Sequence, residues 1–253
     1  MSVLEIRRDG PITIITMTRP QRRNAINGET ATALREAFLA FDADEEQRIA
    51  ILTGGEEVFC AGADLKEIES LDLNNAYGPL GFTRIALQKP VIAAISGYAV
   101  AGGLEVACWC DLRIADETAQ FGCLERRFSV PLVDGGTIRL PQIIGVGRAL
   151  DLILTGRLVD AQEAHSMGLV NQVVPAGKAL EQAIELGNRL AAFPQAAMLN
   201  DRRSVYACLG KPLAEALTIE AEIGRETWAS GEGAAGAQQF SGGKGRGGSF
   251  DDA

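Results

Sequence analysis

The chain has 253 residues, 47% apolar and 23% charged, with a formal net charge of −9, a composition that fits a globular protein with one large domain or one domain and an appendage. No basic stripe is present to track phosphates and no apolar run is long enough to span a bilayer, so neither nucleic acid nor membrane is expected as a partner. Five cysteines without framework spacing and a single histidine speak against a disulfide scaffold or a zinc site, and the N-terminus lacks a signal-peptide layout, so a reducing cytoplasm is expected.

Residues 3–8 and 12–18 alternate as two strands around an Asp9-Gly10 turn. The polar loop Arg19-Pro20-Gln21-Arg22-Arg23-Asn24-Ala25 leads into a helix over 27–44, and Ile49 to Thr53 reads as a buried strand. After the Ala61-Gly62-Ala63 turn, Asp64 is placed to cap a further helix. A polar loop over 70–81 precedes a helix expected over 82–88. The apolar run Val91 to Ile95 is a buried strand delivering the chain to Ser96-Gly97, and Leu104 to Cys110 has the pattern of a buried helix with Gly102 at its N-terminus. Unpaired N–H groups and the helix dipole make that terminus an anion-binding corner, with Glu105 one turn on and Glu125 twenty residues later. On spacing alone, Gly102-Gly103 equally reads as close packing, and Glu105 as the partner of a basic residue.

Helical spacing returns over 138–155 with a junction at Gly145 and Gly147. Asp160 and Gly168 then bound a helix that carries the lone His165 as a surface residue. Helices follow over 176–192 and from Pro194 to Phe240 without strand signals, which places a helical C-terminal subdomain at 195–253 after a core at 1–194. The Gly-rich tail over 241–248 reads as flexible.

The segments IAAISGYAVAGGLEVACWCD and AQFGCLE resemble the two signatures of the crotonase (enoyl-CoA hydratase/isomerase) superfamily. The RPQRRNA loop, the FCAGADLK turn and TGRLVDAQEAHSMGLVNQVVP agree with it in order and spacing. The resemblance implies an α/β spiral of ββα turns, a helical C-terminal part that covers the site and makes oligomer contacts, and a homotrimer or homohexamer. It implies an acyl-CoA substrate, most simply a 2-enoyl-CoA hydrated to the 3-hydroxyacyl-CoA, with no metal and no redox cofactor, coenzyme A being part of the substrate. Carried over residue by residue, the N–H groups of Ala63 and Gly102 form the oxyanion hole. Glu105 and Glu125 hold a water, Glu125 as proton donor and Glu105 as orienting acceptor. Arg22 and Arg23, with Arg19, meet the coenzyme phosphates, and Ala25, Ala61, Asp64, Leu65 and Lys66 line its path; each arginine equally reads as solvated surface.

The chain departs from the hydratase pattern in three places. Leu124 stands where proline is common. Arg126 and Arg127 follow Glu125 and are expected to point outward onto surface acids. Asp134, in VPLVDGG, is a candidate additional acid or an N-cap for the turn over 135–140. That acid keeps enoyl-CoA isomerase and thioester hydrolase open as rivals on the same scaffold, with a non-catalytic acyl-CoA-binding subunit as a third.

Overall fold

The computed structural model describes residues 2–245. In chain order it forms β1 (Leu4–Asp9), β2 (Ile12–Met17), α1 (Gly28–Ala43), β3 (Ile49–Thr53), β4 (Val91–Ile95), β5 (Tyr98–Val100), α2 (Gly102–Trp109), β6 (Leu112–Asp116) and β7 (Gln120–Gly122). There follow α3 (Gly136–Ile144), α4 (Val146–Thr155), β8 (Val159–Asp160), α5 (Ala161–Ser166), β9 (Gln172–Val174) and α6 (Ala179–Ala192), then α7 (Gln195–Cys208), α8 (Leu213–Ala229) and α9 (Glu232–Ser241). The chain divides into two compact units, Met1–Asn188 and Arg189–Ala253. The break falls within α6. Of the tail read as flexible, Ser241 closes α9 and residues 246–248 lie outside the described residues.

The first unit holds two sheets. One has the order β1-β2-β3-β4-β6-β9, and the other the order β5-β7-β8. Only the β1–β2 hairpin is antiparallel in the larger sheet; its other pairings are parallel. Successive strands alternate between the sheets: β4 then β5, β6 then β7, β8 then β9. Each circuit thus adds a strand to both sheets, and a helix closes it, which is the expected spiral of ββα turns. Strands β3 and β4 are buried at every residue, as continuous apolar runs must be in a parallel sheet covered on both faces.

Where side chains supply a local stop or start, the elements form as read. Asn27 caps α1 by accepting from Thr30 N–H at 3.0 Å, and Asp160 caps α5 by accepting from Glu163 N–H at 2.8 Å. His165 is exposed on α5. Two expected helices do not form. Residues 82–88 are a series of turns, because Phe82 leaves the local chain to pack with Phe38 and Trp109, ring centroids 5.1 and 4.9 Å away. Trp109 also donates from Nε1 to Ile85 O at 3.1 Å, so tertiary contacts override helical spacing there. After Asp64 the chain makes only a turn and a short 3-10 segment, Ile68–Ser70.

The end of α2 is tied down by a buried arginine. Arg113 on β6 is 5% exposed and donates from Nε to Leu169 O at 2.6 Å and from Nη1 to Cys110 O at 2.6 Å and Ala107 O at 3.3 Å. These last two are C-terminal carbonyls of α2, where a cation also complements the helix dipole. Truncating Arg113 to Met leaves the three carbonyls buried and unpaired, a loss of about 2–4 kcal/mol. The thermal midpoint of Arg113→Met is therefore expected several degrees below the native one, and equal midpoints in calorimetry would contradict this role for the guanidinium.

Candidate active site

Three backbone segments meet at the N-terminus of α2. The loop over 19–26 and the turn over 60–64 lie side by side, joined by Ala61 N–H to Arg23 O (3.0 Å), Ile26 N–H to Gly62 O (2.8 Å) and Asp64 N–H to Ile26 O (2.8 Å). Ala63 N–H, between the last two, takes no part in this ladder. Asn24, buried and with φ of 51°, locks the junction: its amide donates to Gly54 O and Val58 O, and its Oδ1 accepts from Arg19 N–H. The chemistry of Asn24 was not legible in the sequence, where it is one polar residue in a polar loop.

Glycine is required on both sides of the approach between this turn and α2. A methyl on Gly103 would lie 2.0 Å from Cys60 O, so this glycine serves close packing. A methyl on Gly102 would lie 3.4 Å from Ala63 N, so the backbone of the turn passes close to the start of α2. Gly102 is the first residue of α2, so its N–H has no carbonyl one turn back. The preceding Ala101 takes φ 53° and ψ −128°, a conformation that ordinarily calls for glycine. Such strain costs about 1–3 kcal/mol.

One turn into α2, Glu105 is 3% exposed. Its Oε1 accepts from Asp134 N–H at 2.9 Å and Gly136 N–H at 2.8 Å. Glu105 thereby caps α3, whose own N-cap, Gly135 at φ 101°, has no side chain to do so. Among the described residues Oε2 has no hydrogen-bond partner. A methyl on Gly136 would lie 2.9 Å from Glu105 Oε1, so the second glycine of the pair is needed for the carboxylate to approach. Burial pushes the Glu105 carboxyl from 4.5 up to about 7, helped by the charges of Asp134 and Glu125 and opposed by the two N–H donors.

Glu125 lies in the short 3-10 segment Leu124–Phe128 and is 5% exposed. Neither of its carboxyl oxygens finds a hydrogen-bond donor among the described residues. Burial raises its pKa, opposed by its own backbone N–H and by the charge of Arg126. Arg126 and Arg127 do point outward, but onto carbonyls rather than acids: Ile153 O at 3.4 Å and Gly156 O at 3.0 Å. The free carbonyls that end α4 outcompete distant carboxylates for them.

Asp134 is neither an N-cap nor a free acid. Its Oδ1 accepts from Leu80 N–H at 3.0 Å and from the Thr83 hydroxyl at 2.5 Å. Arg19 is also committed: it donates to Ala25 O at 2.6 Å and pairs with Asp64 at 3.0 Å and Glu67 at 3.3 Å, at 11% side-chain exposure. Asp64 is buried by that pair, so both leave the set of side chains open to a ligand. Arg22, Arg23, Leu65 and Lys66 are exposed around the turn, with Ala25 and Ala61 beneath them. Among the described residues no three His, Cys, Asp or Glu side chains are grouped as metal ligands, and no helix is long and apolar enough to cross a membrane.

The start of α2 and the Ala61–Ala63 turn thus lie close together, and two buried carboxyls, Glu105 and Glu125, belong to the same region. The sequence profile of Enoyl-CoA hydratase/isomerase matches residues 7–244. The chain belongs to the enoyl-CoA hydratase/isomerase family. A "Probable enoyl-CoA hydratase" of Rhizobium meliloti is 40% identical over 233 residues, 90% of either chain. The carnitinyl-CoA dehydratase of Salmonella typhi is 41% identical over 193 residues, 74% of either chain. In three dimensions, the crystal structure of enoyl-CoA hydratase EchA1 from Mycobacterium marinum superposes with a TM-score of 0.91 at 33% identity, covering 95% of this chain and 96% of that one. The ββα spiral described above is thus the crotonase-type fold of this family.

A buried acid with a raised pKa has a stability signature. Below about pH 4.5 Glu105 is protonated in folded and unfolded chains alike; between about 4.5 and 7 only the unfolded chain ionises, so stability is lost across that window and levels off above it, where the folded carboxyl ionises too. Glu105→Gln keeps an oxygen for both N–H donors and carries no charge. Its thermal midpoint is expected above the native one at pH 8, by the equivalent of a few kcal/mol, with the gap closing at pH 4.5. A gap that is absent at pH 8, or that persists at pH 4.5, would be inconsistent with a buried ionisable carboxyl.

Proposed function

We propose that the chain hydrates a 2-enoyl-CoA thioester to the 3-hydroxyacyl-CoA. The observation that carries this is Glu125, a buried carboxyl with no donor to either oxygen among the described residues, set where its charge reaches Glu105. A group left so can hold a proton for delivery and take up a water. The thioester oxygen is assigned to the gap between Ala63 N–H and Gly102 N–H, where stabilisation of the developing enolate is worth about 3–4 kcal/mol per donor. Glu105, anchored through Oε1 to α3, offers Oε2 to orient the water toward C3. Glu125 gives its proton to C2 as the water oxygen bonds to C3. The proton shed by the water then restores the carboxyl pair, so atoms and charge balance over the cycle.

The coenzyme end is assigned to Arg22, Arg23 and Lys66, exposed and without side-chain partners among the described residues, beside Ala25, Ala61 and Leu65. A chain with net charge −9 needs such a local cationic patch to hold phosphates. Relatives named hydratase and dehydratase both support water addition or loss on a CoA thioester. The isomerase and hydrolase rivals lose support, because one Asp134 oxygen, Oδ1, is held by the Leu80 N–H and the Thr83 hydroxyl. Self-association belongs to the proposal, supported by Val146, Leu150 and Leu154, an exposed apolar stripe at four-residue spacing on α4. All five cysteines are free thiols, as a reducing cytoplasm would leave them.

The test is loss of conjugated-thioester absorbance with short, medium and branched 2-enoyl-CoAs. The native protein is expected to give a 3-hydroxyacyl product by mass, and Glu125→Gln to lower kcat about 10²–10⁴-fold; no loss with any substrate would sink the proposal. Replacing Arg22 and Arg23 together by Ala is expected to raise KM severalfold for CoA thioesters, more so at low salt, while leaving KM for the matching pantetheine thioester alone. An equal effect on both substrates would remove the arginines from phosphate binding.

A further inference from the structure

The turn over 78–85 and the segment over 133–139 are held together from both sides. Asp134 Oδ1 takes the Leu80 N–H and the Thr83 hydroxyl. Arg139 donates in return to Asp134 O at 2.9 Å and to Thr83 O at 2.6 Å, and Arg84 reaches Val133 O at 3.3 Å. Gly78 admits the contact, since a methyl there would sit 2.3 Å from Thr83 Oγ1 and 2.9 Å from Asp134 Oδ1. The residue at the centre of this clasp also holds Glu105, because Asp134 N–H is one of the two donors to Glu105 Oε1. Leu80 lies against the other side of the site, its Cδ1 being 3.0 Å from where a methyl on Gly102 would stand.

We propose that Asp134 is a positioning residue which, through one clasp, sets both the Leu80–Thr83 turn beside Gly102 and the carboxylate of Glu105. It does not touch the reacting atoms. The role rests on the hydratase proposal for Glu105, but its geometry is independent of it. It also has an electrostatic side. The charged and titratable groups facing Glu105 are Asp134, Glu125, the Cys108 thiol on its own helix and the Cys123 thiol. Of these, Asp134 is the larger of the two carboxylate influences that raise it. Burial raises the Asp134 pKa, opposed by the bonds from Thr83 and Leu80 and by the charges of Arg84 and Arg139. Removing the Asp134 charge while keeping its acceptor oxygen therefore lets Glu105 ionise at lower pH, which a purely structural role would not do.

The test uses the full-length chain. The side-chain carboxyl carbon of Glu105, assigned by its absence in Glu105→Gln, is titrated by NMR in the native protein and in Asp134→Asn. The midpoint is expected to fall in Asp134→Asn, and the acid limb of kcat/KM for an enoyl-CoA to fall with it, retaining about two- to fivefold more of the plateau value at pH 6. A Glu105 midpoint unchanged in Asp134→Asn overturns the proposal. Thr83→Val, which keeps the charge and breaks the clasp, is expected to lower kcat, with Thr83→Ser restoring it; native kcat in Thr83→Val also overturns it. If the native protein turns over no enoyl-CoA yet the midpoint still falls, the hydratase proposal fails and the positioning role stands.

Discussion

A carboxylate taken out of water needs donors, and Glu105 finds them at the start of a helix other than its own. That cross-helix cap joins α2, which begins beside Ala63, to α3, whose first N–H groups would otherwise be unpaired. The bond is short-range and demands glycine at both 135 and 136, one for a left-handed backbone and one for lack of a side chain. Around it the rest of the first unit acts as a brace. Arg113 binds the far end of α2, and the Phe38–Phe82–Trp109 cluster fixes that helix against α1 and the turns over 82–88. Every element that touches α2 holds one end of a lever whose tip is Glu105.

The site is built against stability. Ala101 sits in a backbone conformation that suits glycine, Glu125 is buried with no hydrogen-bond partner among the described residues, and Glu105 holds a raised pKa despite two donors. Proteins carry such features where the chemistry requires them and offset them in the surrounding core. Here that core is supplied by parallel strands buried along their whole length. Buried thiols nearby are inert by the same physics: burial pushes Cys60 and Cys123 up to about 12, so neither competes with the glutamates as a nucleophile or base.

Several charges turned out to have inward employment. Arg19 and Asp64 neutralise one another under the turn that carries Ala63, and so shape the site rather than meet a ligand. Asp134 closes a clasp across two segments far apart in sequence. In each case the residue type was right for a ligand, but a protein partner of opposite character lay within reach. Arg22, Arg23 and Lys66 differ in being exposed, with no side-chain hydrogen bond or ion pair among the described residues.

What the sequence determined by itself was everything governed by short-range pattern. The buried strands, the caps at Asn27 and Asp160, the Gly102 start of α2 and the family signatures around Glu105 and Glu125 could all be read from spacing and residue type. Local rules failed where a distant side chain outbid them. The helix expected over 82–88 gave way to an aromatic cluster, the helix after Asp64 to an ion pair with Arg19, and the N-cap at Asp134 to Leu80 and Thr83. Which of two acids is tied and which is left unpartnered is likewise a property of three-dimensional neighbours, since residue type alone does not distinguish Glu105 from Glu125. Only tertiary structure decided that α3 begins under Glu105 and that none of the described residues donates to Glu125, because hydrogen bonds and desolvation depend on what lies within a few ångströms in space, not along the chain.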